Sequence, residues 1–135
     1  MSTDSKTAAA PVTILVVDDE ADMRFLAKHI LESSDFHVVA EAVDGHDAVL
    51  RFRELDPPPD PTVVLLDNQM PKKTGIEAAA EILAEAPDQI IVLFSAYLSD
   101  SIQAEARRLG VAACVSKSDV ADLPRIIEEL IAQRA

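Results

Sequence analysis

The chain has 135 residues, 49% hydrophobic and 27% charged, which suits one folded domain of ordinary size with a single core. Its formal net charge of −12 argues against direct binding to DNA or RNA, where Lys and Arg must neutralise phosphates; part of the excess reads as a clustered acidic site that wants a cation. The lone cysteine, Cys114, excludes an internal disulfide, no stretch approaches the roughly 18 apolar residues of a membrane span, and the polar, Ala-rich start lacks the apolar region of a signal peptide, so a soluble chain in a reducing cytoplasm is expected.

In chain order, residues 1–11 read as a disordered leader ending at Pro11, and residues 12–135 as the folded unit. Residues 14–17 form a short continuous apolar run. A helical stripe follows at Met23, Leu26, Ala27, Ile30 and Leu31. Residues 37–40 are a weaker apolar run. Asp44-Gly45 signals a turn, and a second stripe runs through Ala48, Phe52 and Leu55. The proline-rich segment 56–61 must be an extended connection, because proline blocks helix continuation. Residues 63–66 give a third run, with a helical stripe behind it at Ile76, Ala79, Ala80 and Leu83. Residues 90–94 precede a stripe at Ile102, Ala106 and Leu109, and Gly110 stands where a helix C-terminal cap belongs. The last run covers 111–115, and the last stripe holds Leu123, Ile126, Ile127, Leu130 and Ile131.

Five continuous apolar runs alternating with five helical stripes predict an α/β fold: a five-stranded parallel sheet, doubly wound, with helices on both faces and right-handed crossovers. The strand order 2-1-3-4-5 fits the count and is borrowed from the flavodoxin-like class of such sheets.

In an open parallel sheet, ligands bind beyond the carboxyl ends of the strands at the switch point, here between strands one and three. Strand one ends in Asp18-Asp19-Glu20, strand three in Asp67, strand four in Ser95 and strand five in Lys117. Carboxylates packed together repel unless one holds a proton or a cation sits among them, and oxygen donors with room for water suit Mg²⁺. A phosphoryl donor entering this crevice would meet the metal, Lys117 and Ser95, which is most of what phosphoryl transfer needs. An aspartate carboxylate can be the nucleophile and form an acyl phosphate. Simpler roles exist for the same residue types. Asp18 and Asp19 also suit capping of the first helix, Thr74-Gly75 suits a turn and helix start, and Cys114 suits core filling. His29, His37 and His46 have no metal-like spacing, and Arg107-Arg108 fits a solvated helix face.

These segments resemble the response regulator receiver domain of two-component signalling, in the CheY-like superfamily. Ile14-Leu15-Val16-Val17-Asp18-Asp19-Glu20 looks like the start of a receiver. Val63-Val64-Leu65-Leu66-Asp67-Asn68-Gln69-Met70-Pro71 followed by Gly75 looks like its phosphoacceptor loop. Phe94-Ser95-Ala96 resembles the strand-four hydroxyl signature, and Lys117 ends strand five as the family lysine does. The resemblance spans residues 12 to about 133, four motifs in order, each at a strand end.

The resemblance implies that Asp67 accepts a phosphoryl group from a sensor histidine kinase or a histidine phosphotransfer protein. Asp19, Asp67 and the backbone carbonyl of Gln69 would bind Mg²⁺ (or Mn²⁺ as a substitute), with Asp18 acting mostly through a bound water. Lys117 would pair with the phosphoryl oxygens, Ser95 would hydrogen-bond the phosphoryl group, and the backbone N–H groups of Asn68 and Ala96 would complete its contacts. Phosphorylation would switch a protein–protein surface, read by an output protein or a tethered effector domain; the sequence leaves open the kinase, the output partner and whether the chain forms a dimer. Residues 35–42 resemble those of receivers in helix-turn-helix transcription factors.

Two positions depart from the family pattern. Ser118 stands where proline usually follows the lysine, so a trans bond and a differently shaped loop are expected. Cys114 stands where an aromatic ring usually couples the strand-four hydroxyl to the output face; Tyr97 is the ring left to take over part of that task. Other functions for the same crevice are a pseudo-receiver that binds without being phosphorylated, and a phosphatase with an aspartyl nucleophile. The latter usually carries a second Asp two residues on, as general acid, where this chain has Gln69.

Overall fold

The computed structural model describes residues 11–134; the leader expected over residues 1–11 therefore falls, apart from Pro11, outside the described residues. Five parallel strands form one sheet: β1 (Thr13–Val17), β2 (His37–Ala42), β3 (Thr62–Leu66), β4 (Ile90–Ser95) and β5 (Ala113–Ser116), in the order β2-β1-β3-β4-β5. The helices are α1 (Ala21–Glu32), α2 (Gly45–Glu54), α3 (Gly75–Glu85), α4 (Asp100–Leu109) and α5 (Leu123–Arg134), with a 3₁₀ turn at Lys117–Asp122. This is the expected flavodoxin-like architecture. Among the described residues no helix is long and apolar enough to cross a membrane.

Strand periodicity divides the core in two. Leu15, Val17, Val64, Leu66, Ile91 and Leu93 point to one face and pack beneath α2, α3 and α4. Their alternates Ile14, Val16, Val63, Leu65, Val92 and Phe94 point to the other, beneath α1 and α5. Side chains of a strand alternate between faces, so a strand covered on both sides reads as a near-continuous apolar run, with polar residues such as Thr13, Thr62 and Ser95 at its ends. β1, β3 and β4 are buried at every residue. The edge strand β2 is exposed at His37 and Glu41, which is why its apolar run is weaker.

Helix starts and stops follow local chemistry. The Asp44 carboxylate accepts the Asp47 N–H at 2.7 Å and starts α2. Thr74 and Glu77 form a reciprocal capping box that starts α3. Gly110, at φ 100°, ends α4 in the left-handed conformation.

Three local expectations change. The last strand begins at Ala113 rather than 111, because the Val111 N–H is spent on the Ala106 carbonyl in closing α4. On α1 the buried row is Ala27 and Leu31, with Met23 packed beside it, whereas Leu26 lies outside and is exposed; a residue one position before the row is turned about 100° away. Neither Asp18 nor Asp19 caps α1: the N-cap is Glu20, whose side chain makes no capping bond. The expected trans bond at Lys117–Ser118 is present, the cis bonds among the described residues being Asp56–Pro57 and Asp60–Pro61. The loop after it is the 3₁₀ turn, opened by Ser116, whose side chain accepts the Ser118 N–H.

Candidate functional site

The last ladder hydrogen bonds of the sheet set the site. Asp18 N–H donates to the Ala42 carbonyl and Asp67 N–H to the Val17 carbonyl, both at 3.1 Å. Each aspartate is thus pinned one residue past its strand, at the edge where β1 and β3 are neighbours and the chain order reverses. Ser95 ends β4 and is fully buried, and Lys117 follows β5.

The side chains converge on Asp67, which is 4% exposed. Its Oδ1 accepts a hydrogen bond from Ser95 Oγ at 2.9 Å and from the Gln69 N–H at 3.2 Å. Its Oδ2 accepts from Lys117 Nζ at 3.0 Å. Lys117 also reaches Asp18 Oδ2 at 2.8 Å and Glu20 Oε1 at 3.2 Å. Asp18 is 3% exposed; its Oδ1 accepts the Glu20 N–H at 2.9 Å, and its carbonyl accepts Arg24 Nη1 at 2.7 Å. Asp19 is exposed at the rim.

Asp18, Asp19 and Asp67 each offer a carboxylate oxygen within 4.8 Å of the others. Hard oxygen donors at that spacing, two buried and one open to water, fit a hard divalent cation that keeps part of its hydration shell, as Mg²⁺ does. Burial is the largest influence on Asp18 and pushes its carboxyl above the ordinary carboxylate value; the Lys117 and Glu20 hydrogen bonds pull back, and the charge of Asp67 adds to the rise. Burial alone would lower Lys117, but its hydrogen bonds to Asp18 and Asp67, with their charges, outweigh it and raise the ammonium above the ordinary lysine value. Lys117 is therefore a fixed cation at neutral pH.

The loop after Asp67 is shaped by its own backbone. The Asn68 side-chain carbonyl accepts the Ile76 N–H at 2.9 Å, and its main-chain carbonyl accepts the N–H groups of Met70 and Gly75. A Cβ on Gly75 would lie 2.3 Å from the Asp67 carbonyl, so only glycine lets α3 start this close to the acceptor. Gln69 and Ala96 stand exposed beside Asp67 and Ser95.

The structure thus brings together Asp18, Asp19, Asp67, Ser95 and Lys117, with Asn68, Gln69 and Ala96 on the adjoining loops. Tyr97, two residues after Ser95, lies outside this cluster and is 60% exposed. Cys114 is half-buried against the α2–α4 face, and burial pushes its thiol up, with Arg107 offsetting part of the rise; that is the chemistry of filler. Sequence reasoning assigned no role to Glu20 or Arg24. Glu20 was visible as a third acid in a row; nothing in the sequence showed that Arg24, four residues on, holds the Asp18 carbonyl and pairs with Glu41 on β2.

Comparison with known proteins agrees. The family model for the response regulator receiver domain matches residues 14–128. The chemotaxis protein CheY of Listeria monocytogenes is 37% identical over 117 residues, covering 87% of this chain and 93% of that protein. The transcriptional regulatory protein PdtaR of Mycobacterium tuberculosis is 34% identical over 122 residues, 90% of this chain but 57% of that protein. Among solved structures, a LuxR-family two-component response regulator from Aurantimonas superposes with a TM-score of 0.83 at 30% identity, covering 92% of this chain and 87% of that one. The CheX–CheY complex of Borrelia burgdorferi shares the fold at the same TM-score and 23% identity, covering 96% of this chain and 94% of that one. With the 2-1-3-4-5 sheet and the strand-end acids, hydroxyl and lysine already in place, the chain belongs to the response regulator receiver domain family, as a CheY-like module of two-component signalling.

Proposed function

We propose that residues 12–135 act as a phosphoacceptor switch, with Asp67 taking a phosphoryl group from the phosphohistidine of a sensor histidine kinase or a histidine phosphotransfer protein in the cytoplasm. The observation that carries this reading is the setting of Asp67: a buried carboxylate held at once by a hydroxyl and an ammonium, beside two further carboxylates. That setting suits a nucleophile, for which the charge of the arriving group must be balanced on several sides.

Asp18, Asp19, Asp67 and the Gln69 carbonyl would hold Mg²⁺. When bound, the ion supplies positive charge against the phosphoryl oxygens. The chain's own residues do the rest. Lys117 keeps a permanent positive charge in the crevice, and Ser95 turns its hydroxyl from Asp67 to the transferred group. Asn68 and Ala96 offer backbone N–H donors at the two loop mouths. The output is a changed protein–protein surface, read by an output protein or tethered effector domain.

Incubation with Mg²⁺ and acetyl phosphate followed by intact-mass measurement tests the reading. The wild-type protein should gain one phosphoryl group and Asp67→Asn none. Equal labelling of both proteins would move the acceptor elsewhere. A folded wild type that binds Mg²⁺ but gains nothing would make the chain a binding module.

A further inference from the structure

Lys117 has more partners than a phosphate-binding lysine can keep. An ammonium has three N–H donors. Asp67 Oδ2 at 3.0 Å and Glu20 Oε1 at 3.2 Å accept two of them, and Asp18 Oδ2 crowds the same nitrogen as an ion pair at 2.8 Å. A phosphoryl oxygen that pairs with Lys117 therefore competes with these carboxylates for the ammonium.

The three carboxylates lose different amounts. Asp18 and Asp67 are buried and held by further bonds, Asp18 by the Glu20 N–H and Asp67 by Ser95 and Gln69. Pulling either away from the ammonium leaves a buried charge short of a partner. The Glu20 side chain is 66% exposed, so water takes the place of Lys117 at small cost. Its position reinforces the point. Glu20 is the N-cap of α1, where a side chain ordinarily accepts a helix N–H, yet it makes no such bond. It spans the crevice mouth to the end of β5 instead.

Resting on the phosphoacceptor reading above, we propose that Glu20 is a positioning residue: it holds Lys117 over the crevice until a donor arrives, yields its place to a phosphoryl oxygen, and so sets how readily donors of different charge enter. In the transfer an Asp67 carboxylate oxygen bonds to phosphorus as the bond from phosphorus to the leaving group breaks. The leaving group departs with the electron pair, as acetate from acetyl phosphate. Glu20 exchanges no atom or proton in that step; it gives up one hydrogen bond and lends one negative charge to the entrance, already lined by Asp18, Asp19 and Asp67. Its removal therefore favours the more negative donor.

The test measures phosphorylation of the full chain at saturating Mg²⁺ by acetyl phosphate, a dianion, and phosphoramidate, a singly charged donor. Wild type, Glu20→Gln and Asp67→Asn are compared. Glu20→Gln is expected to react about two- to fivefold faster with acetyl phosphate at low ionic strength, the span of an exposed ion pair, and to gain less with phosphoramidate. The gain should lie in the donor concentration giving half the limiting rate. It should vanish near about 1 M salt, where the Debye length is about 3 Å. If the wild type is phosphorylated but Glu20→Gln is no faster, or is faster equally with both donors and at both salts, the role of Glu20 is overturned and the Asp67 reading stands. If the wild type takes no phosphoryl group from either donor, both are overturned.

Discussion

Asp18 and Lys117 form an ion pair at 2.8 Å yet gain unequally from it. One ammonium divided among three carboxylates gains from each, while each carboxylate receives only a share and still meets its neighbours' repulsion. Both groups are consequently raised above their ordinary values, Lys117 by its partners against burial and Asp18 by burial against its partners. For a carboxyl this sign means that ionisation costs stability. The cost is absent below the ordinary carboxylate pKa near about 4, grows as pH rises through the elevated folded value, and is complete above it. Asp18→Asn should therefore raise the melting temperature at pH 7 in a chelating buffer, by a margin that disappears below pH of about 4. A lower melting temperature at pH 7 would mean that Lys117 needs its second buried carboxylate more than the site suffers from it.

The β3–α3 connection is the element on which the acceptor's geometry rests. The Thr74–Glu77 capping box starts α3 directly after the loop, and Gly75 lets that start lie against the Asp67 carbonyl. Exposed surface pairs such as Arg53–Glu85, which joins α2 to α3, add little by comparison. Thr74→Ala should cost about 1 kcal/mol of unfolding free energy in denaturant titration, with the slope of the transition unchanged. No loss of stability would show that Asn68, through its bonds to Gly75 and Ile76, holds the helix start alone.

At the scale of the whole molecule, the sheet gathers acids from β1 and β3 against a single ammonium, and the fold carries that repulsion at neutral pH. A cation that binds only the folded chain relieves it, and linkage converts its affinity into stability. Added Mg²⁺ should raise the unfolding free energy by about 1.4 kcal/mol per tenfold increase above its dissociation constant, reversibly on chelation. Asp67→Asn should show a much weaker dependence. Identical Mg²⁺ responses in the two proteins would place the cation outside the crevice.

The alternation of apolar runs and helical stripes was legible from sequence because burial on both sheet faces demands it. The strand-end positions of Asp18, Asp67 and Ser95 were legible for the same reason: each is the first polar residue after an apolar run, and Lys117 follows its run by one serine. Gly110 announced its cap, and Asp44-Gly45 the turn before α2, because backbone conformation there is a local matter. Tertiary structure alone decided which face of each strand meets which helices, that Leu26 turns outward, and that Val111 closes α4 instead of opening β5. It alone joined Glu20 to Lys117 across 97 positions of sequence and Arg24 to the Asp18 carbonyl. Periodicity records what a residue is buried against in general; the identity of a partner depends on where separate strands end in space, and no local pattern encodes that.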